Sequence, residues 1–278
     1  MPDLRFRSEK VTDHITRIFA FSSELMYLVE GSDAAALLDS GSGIGFVRPL
    51  IEQLTDKPVT VLLTHGHVDH AMGASEFPAE NVYINQEDAY IYGPHSTYAF
   101  RKDGLFLMEN HGEGITEKDF TPIRPIEAYH DLKEGDRFDL GGISVEMYAC
   151  PGHTKGSLVM LIPEERTVLL GDACNGSTFV FENYSTSLED YRKSLITLNQ
   201  KIKGKFDTVL ASHGDGNSCR DIIDENIRLC DSILRGTDDH IPMEFRGNKG
   251  MIAKKDALPG HGNIVYNPEF IFSTQKES

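Results

Sequence analysis

The chain is short of basic residues, and this shortage limits the partners it can bind. It contains 27 Lys and Arg against 43 Asp and Glu among 278 residues, for a formal net charge of −16. A field of this sign repels polyphosphate and anionic lipid headgroups, so the composition argues against a nucleic acid or a membrane as partner. A small-molecule substrate is compatible with it, because a binding site has its own local field.

The sequence also lacks the marks of exported and membrane-spanning chains. It has no apolar run of about 18 residues, as a transmembrane helix requires, and its N-terminal MPDLRFRSEK has no apolar signal segment. The four cysteines are spread along the chain without a C-x-x-C pair, which argues against a disulfide framework. We therefore expect a cytoplasmic protein. Nothing in the sequence specifies an oligomeric state.

Short apolar runs that alternate with helical spacing indicate an α/β protein. The runs Val59–Thr64 and Ile143–Ala149 are typical of buried strands. A capping box at Ser187 predicts a helix that extends to about Ile202, and residues Asn217–Leu234 have helical spacing. Helices that fall between groups of strands indicate two packed sheets with helices outside.

Two stretches fit no regular period, and no linker rich in Pro, Gly or Ser divides the chain. Residues 93–130 are rich in Tyr, Phe, Met and His, and a connection this long is often a lid or a pocket wall. The tail from Gly236 is expected to be irregular.

Ligand-type side chains crowd the segment directly after the predicted strand Val59–Thr64. Three histidines and an aspartate stand there in close succession: His65, His67, Asp69 and His70. Imidazole and carboxylate are the usual protein ligands of Zn²⁺ and similar divalent ions. The alternative, ordinary side chains on a polar loop, is outweighed by this density of ligand types.

Three further ligand-type residues each follow a predicted strand and a turn. They are His153, Asp172 and His213. In layered α/β folds, ligands gather at the sheet end where strands give way to loops. Each residue alone is a weak signal, but together with the first cluster they supply enough ligands for two metal ions that share a bridge.

The motif His-x-His-x-Asp-His at residues 65–70, followed in order by Gly-His, Gly-Asp and a late His, resembles the metallo-β-lactamase superfamily. The resemblance covers about residues 14–235. It implies a four-layer αββα sandwich in which two half-domains each supply a sheet and helices, with the metals at the shared edge of the two sheets. We accordingly expect a catalytic domain over residues 1–235 and a C-terminal extension over 236–278, packed on it near the mouth of the site.

The resemblance also implies a ligand set for two divalent metal ions. His65, His67 and His153 would hold the first ion. Asp69, His70 and His213 would hold the second, and Asp172 would bridge the two ions. Zinc is the expected metal, with iron and manganese as alternatives. A hydroxide between the ions would be the nucleophile, and Asp69 would orient it or shuttle a proton.

The complete ligand set resembles glyoxalase II, lactonases, thioesterases and phosphodiesterases more than true β-lactamases, which lack an aspartate at the position of Asp172. Glyoxalase II itself fits poorly, because its helical glutathione-binding region is not evident and the interval before His153 is long. We therefore expect a hydrolase of a small ester, thioester or lactone. Three alternatives stay open: a phosphodiesterase, a mononuclear iron persulfide dioxygenase, and a non-catalytic binding protein that retains the fold.

Aromatic and histidine side chains near the predicted site are the candidate substrate contacts. Tyr98 and Tyr184 are the candidates to donate a hydrogen bond to a developing oxyanion. The others would form a wall suited to an acyl or alkyl group, and they are Tyr92, His95, Phe106, His111, Phe179 and Phe181. For each ring taken singly, packing in the core is the alternative.

Overall fold

The computed structural model describes residues 6–106, 112–181 and 183–273. The chain divides into two compact units, each of which combines strands and helices, as expected for the α/β class. Unit 1 comprises Met1–Glu146 with Ser212–Gly216, and unit 2 comprises Met147–Ala211 with Asn217–Ser278. The expected catalytic domain 1–235 and extension 236–278 stay a prediction.

Unit 1 is built on a seven-stranded sheet whose strands follow one another in chain order. They are Arg7–Lys10 (β1), Ile15–Phe19 (β2), Leu25–Glu30 (β3), Ala35–Leu38 (β4), Val59–Leu62 (β5), Val82–Ile84 (β6) and His130–Asp131 (β7). Strands β1 to β4 pair antiparallel, and β4 to β7 pair parallel. Because β4 and β5 are parallel neighbours, their carboxyl ends lie side by side at one edge of the sheet.

One row of paired side chains forms the centre of the apolar core of unit 1. Leu28, Leu37, Val61 and Val82 are successive register partners across β3 to β6 and are fully buried. Since side chains alternate between the two faces of a strand, partners in register share a face. This face explains the continuous apolar runs of β4 and β5 in the sequence.

The described helices of unit 1 are short, and the stretch without a clear period contains one of them and the end of another. The four are Arg48–Leu54 (α1), Val68–Ala71 (α2), Ala89–Ser96 (α3) and Tyr98–Phe106 (α4). Pro94 lies inside α3, and Thr97 between α3 and α4 has extended backbone angles. The break at Thr97 resets the helical period, which hides α4 and the end of α3 from a periodicity analysis of residues 93–130.

Strand Ser144–Ala149 (β9) begins in unit 1, where it pairs antiparallel with Arg137–Asp139 (β8). Unit 2 contains the remaining strands: Leu158–Ile162 (β10), Thr167–Leu169 (β11), Thr178–Val180 (β12), Thr208–Leu210 (β13), Asn217–Ser218 (β14), Ile241–Phe245 (β15), Asn248–Ile252 (β16) and Ile264–Tyr266 (β17). One of its sheets has the order β14-β13-β11-β10-β9, and the other has the order β12-β17-β16-β15.

Two long amphipathic helices, Leu188–Ile202 (α5) and Ile222–Leu234 (α6), complete unit 2. The predicted cap is confirmed, since Ser187 Oγ accepts a hydrogen bond from the Asp190 amide at 3.1 Å. The predicted start of α6 at Asn217 is wrong, because Asn217–Ser218 pairs with β13 as strand β14. Among the described residues, no helix has both the length and the hydrophobicity needed to cross a bilayer.

The expectation of an irregular tail from Gly236 is also wrong, because this segment contains β15, β16 and β17. Strands β15 and β16 form a hairpin that turns through Arg246 and Gly247, both at positive φ. Positive φ at both central residues is typical of a tight hairpin turn, which usually carries Asn-Gly or Asp-Gly. Here Arg precedes Gly, so the sequence lacked the common turn signal.

Candidate metal centre

The segment after β5 carries four predicted ligands at the carboxyl edge of the parallel strands. His65 and His67 lie on the loop itself, and Asp69 and His70 lie in the short helix α2. A glycine is required between the two loop histidines. A Cβ atom on Gly66 would lie 2.9 Å from the Asp88 Cβ, and the Gly66 amide donates to Asp88 Oδ2 at 2.8 Å.

His65 and His67 form a close, buried pair. Their ring centroids are 4.7 Å apart, and one nitrogen of each ring lies within 4.8 Å of the other. The Thr64 hydroxyl donates its single proton to Asp39 and therefore accepts from His65 Nδ1, at 3.0 Å. This network assigns the His65 tautomer in which Nε2 carries the lone pair for a metal ion.

Asp69, His70 and His213 form a second group in unit 1. Asp69 Oδ2 lies 3.5 Å from His70 Nε2 and 3.6 Å from His213 Nε2. Zinc bonds of about 2.0–2.1 Å in a tetrahedral site place neighbouring N and O ligands about 3.4 Å apart, so these residues fit a divalent ion. His70 is buried, whereas the side chains of Asp69 and His213 are 36% and 42% exposed, which leaves this group open to solvent.

Asp39, directly after β4, contacts one of the predicted ligands and was missed by the sequence analysis. Its carboxylate accepts from His70 Nδ1 at 2.8 Å and from the Thr64 amide at 2.7 Å, and the residue is 1% exposed. A carboxylate on the far ring nitrogen fixes the orientation of a metal-binding histidine and raises its basicity. The available signal was an acidic residue at the end of the strand that pairs with β5.

Unit 2 brings together the other two predicted ligands. His153 Nε2 lies 3.8 Å from Asp172 Oδ2. His153 Nδ1 donates to the Phe179 carbonyl at 2.7 Å, so Nε2 carries the lone pair. Asp172 Oδ1 accepts from the Asn175 side-chain amide at 3.0 Å. Both side chains therefore present metal-binding atoms in fixed orientations.

Helix α5 supports the loops that carry these two ligands. A Cβ atom on Gly152 would lie 2.1 Å from the buried ring of Tyr191. The Tyr191 hydroxyl donates to the carbonyl of Ala173 at 2.8 Å. One aromatic side chain therefore contacts the residue before His153 and bonds to the residue after Asp172.

The predicted substrate contacts of unit 1 occupy different environments. Tyr92 is 2% exposed in the core, where burial raises the pKa of its hydroxyl. His95 stacks on His67 with ring centroids 5.0 Å apart, and Tyr98 makes an edge contact with Phe120 at 4.9 Å. Phe106 is the last residue of α4, and His111 lies outside the described residues.

The predicted substrate contacts of unit 2 lie near β12 and before α5. Phe179 and Phe181 have ring centroids 5.4 Å apart, and Phe179 lies the same distance from Phe245. Tyr184 is half-buried in a turn. Substrate contact by any of these residues stays a prediction.

A surface cleft of about 580 Å³ in unit 1 was not foreseen from the sequence. Its lining includes Gly214 and Asp215, the two residues after His213. Arg7 and Phe19 also line it, and the Arg7 guanidinium lies 4.0 Å from the centre of the Phe19 ring. The volume lies in the range typical of small-molecule sites.

Comparison with known proteins agrees with the fold and with the motif. The chain covers 98% of a metallo-β-lactamase from Pontibacter korlensis over 81% of its own length, with 16% identity and a TM-score of 0.57. The predicted metallo-β-lactamase fold is thereby confirmed. The profile of the Metallo-beta-lactamase superfamily matches residues 21–213, and the chain belongs to this superfamily.

Two relatives of this chain have names that state an activity. The hydroxyacylglutathione hydrolase GloC of Haemophilus influenzae is 25% identical, over 72% of this chain and 89% of that protein. The acyl-coenzyme A thioesterase MBLAC2 of Gallus gallus is 25% identical, over 68% of this chain and 71% of that protein.

Proposed function

We propose that this protein is a metal-dependent hydrolase with two zinc ions that cleaves acyl thioesters of small molecules. The observation that carries the proposal is the group in unit 1 in which Asp69 lies within 3.6 Å of two histidines while Asp39 orients one of them. Two relatives named as a hydroxyacylglutathione hydrolase and an acyl-coenzyme A thioesterase act on acylated thiols. Their names support the choice of thioester over other acyl bonds.

The proposed ligands follow the superfamily motif. His65, His67 and His153 would hold the first ion. Asp69, His70 and His213 would hold the second, and Asp172 would bridge the two ions. Bound zinc would supply a water nucleophile at neutral pH and polarise the carbonyl.

The residues of the chain orient the ligands and move the proton. Hydrogen bonds from Nδ1 to Thr64, Asp39 and the Phe179 carbonyl fix the rings of three ligand histidines. Asp69 is the exposed carboxylate of its group, so it can accept a proton from the attacking water and release it to the leaving thiolate.

A metal and turnover analysis of the purified chain tests the proposal. We expect two zinc ions bound by the proposed catalytic ligands of each chain, and release of free thiol from acyl-glutathione or acyl-coenzyme A. Asp69→Asn should lower kcat by about 10²–10⁴-fold, the usual contribution of a positioned acid–base group. His130→Ala is the matched control, because His130 is an exposed histidine of unit 1 outside the ligand groups.

Each alternative function predicts an experimental result that would contradict the proposed thioesterase activity. Turnover of bis-p-nitrophenyl phosphate without thioester cleavage would establish a phosphodiesterase. One iron per chain with oxygen uptake on a persulfide would establish a dioxygenase. Two bound ions without turnover of any substrate would favour a binding protein.

A further inference from the structure

A second cluster of metal-binding side chains lies in unit 2 and is distinct in sequence from the superfamily motif. It consists of Cys219, Glu225 and His261, each of which offers one ligand atom within 4.8 Å of the other two. No metal-binding motif surrounds His261 in the sequence. Residue 261 comes close to the other two only through the folding of the tail onto α6.

The separation of Cys219 and Glu225 suits a tetrahedral zinc ion, whereas that of His261 and Glu225 is shorter. Cys219 Sγ lies 3.5 Å from Glu225 Oε2, close to the separation of about 3.6 Å expected for S and O ligands at zinc. His261 Nδ1 lies 2.8 Å from Glu225 Oε1. This hydrogen bond must open by about half an ångström to admit an ion of the same bond lengths, which a partly exposed imidazole can do by a small rotation.

Backbone contacts hold the three ligands in place. The Cys219 amide donates to the Gly260 carbonyl at 2.8 Å, and the Gly262 amide donates to Glu225 Oε2 at the same distance. A Cβ atom on Gly262 would lie 2.4 Å from Asn226 Oδ1, so the tail passes close to the first turn of α6. The cluster is therefore assembled by the fold, without reliance on flexible surface side chains.

A divalent ion bound here would displace the proton of the Cys219 thiol. The 39% exposure of His261 leaves room for water as a fourth ligand.

We propose that Cys219, Glu225 and His261 bind one Zn²⁺ ion, with water as the fourth ligand, in a structural site that ties the segment Gly260–Gly262 to the start of α6. Zinc accepts this mixture of sulfur, nitrogen and oxygen ligands. The site is independent of the proposed hydrolase activity.

Cobalt substitution distinguishes this site from the proposed catalytic centre. The seven catalytic ligands contain no sulfur, whereas a Cys219 thiolate bound to Co²⁺ gives a charge-transfer band in the near ultraviolet. We expect this band when Co²⁺ is titrated into the metal-free chain, with an intensity that corresponds to one thiolate-bound Co²⁺ per chain. Added Zn²⁺ should displace the Co²⁺ and abolish the band.

Variants identify the sulfur ligand and its partners. Cys219→Ser should lose the band, while Cys230→Ser and the catalytic-centre variant His67→Ala should retain it. Glu225→Gln should weaken Co²⁺ binding at this site at least tenfold. The melting temperature of each variant in EDTA checks that it folds.

Two results would overturn the proposal. One is the absence of the band in the wild-type chain at saturating Co²⁺. The other is a band that persists unchanged in Cys219→Ser, which would assign the thiolate to another cysteine. A second readout is the rise in melting temperature on Zn²⁺ addition, which should be smaller for Cys219→Ser than for the wild type.

Discussion

Asp39 adopts an unusual backbone conformation for a residue that is not glycine. Its φ is +60°, in the left-handed region that L-residues rarely adopt and that costs of the order of 1 kcal/mol. Strained residues of this kind persist where the surrounding structure over-determines them, often at functional sites. Here the conformation directs the carboxylate toward His70 Nδ1 and the Thr64 amide.

Replacement of Asp39 tests its role as a positioning residue. Asp39→Asn keeps the size of the side chain but removes the charged acceptor for His70 Nδ1, so we expect metal affinity to fall about 10–100-fold, as for other outer-sphere partners of metal ligands. Competition with a chelator of known affinity measures this loss. Asp13→Asn is the matched control at an exposed aspartate. Equal metal affinity in the two variants would contradict the role of Asp39.

The role of Asp39 was hidden in the sequence, although the ligands themselves were not. His65, His67, Asp69 and His70 are close in sequence, so their spacing alone predicted a metal site. Asp39 reaches His70 only because β4 pairs parallel with β5, with Leu38 opposite Leu62. A partner that depends on strand pairing leaves no local pattern.

The elements that the sequence predicted best are those whose signals are local. Helix α5 has both a capping serine at Ser187 and buried residues at helical spacing, Tyr191, Leu195, Leu198 and Ile202. The tail strands were missed because they are stabilised by contacts with strands that are distant in the sequence. Strand β17 pairs parallel with β12, a partner far away in the chain, and its three residues carry little periodicity of their own.

The contact of α5 with the loop before His153 gives a prediction for Gly152. Gly152→Ala would press a methyl group against the fully buried Tyr191 ring, so we expect a loss of about 1–3 kcal/mol in the free energy of unfolding. Urea denaturation measures it, and weaker zinc binding should accompany it because His153 is displaced.

Gly93→Ala is the matched control for this element. Gly93 lies inside α3 with no atom near its added Cβ, so the same substitution there should stabilise the chain by up to about 1 kcal/mol. If both alanine variants had the same stability, the close packing of Gly152 against Tyr191 would be disproved.

At the scale of the whole molecule, composition shows the net charge of the chain but not which of its ionisable side chains are buried. The net charge of −16 is counted over all carboxylates, of which Glu24, Asp39 and Asp88 are buried, and the core also contains phenols and thiols whose ionisation burial opposes. Burial raises the pKa of Tyr27 and of Cys150 each to about 12, and it also raises the pKa of Tyr191 and Cys230. Composition counts these residues as apolar or neutral and does not reveal that folding suppresses their ionisation.

These raised pKa values predict a loss of stability in alkali. The folded chain retains the Tyr27 proton up to about pH 12, whereas the unfolded chain releases it near 10.0, so this contribution is fully present below pH 10 and is lost as the pH rises toward 12. A single such group gives a slope of up to about 1.4 kcal/mol per pH unit. We therefore expect the free energy of unfolding in urea to begin to fall near pH 9, where unfolded cysteines ionise, and to fall more steeply above pH 10, with tyrosinate absorbance appearing together with unfolding. Tyr27→Phe should have a shallower slope there, and a slope equal to that of the wild type would show that Tyr27 ionises as readily in the folded chain as in the unfolded one.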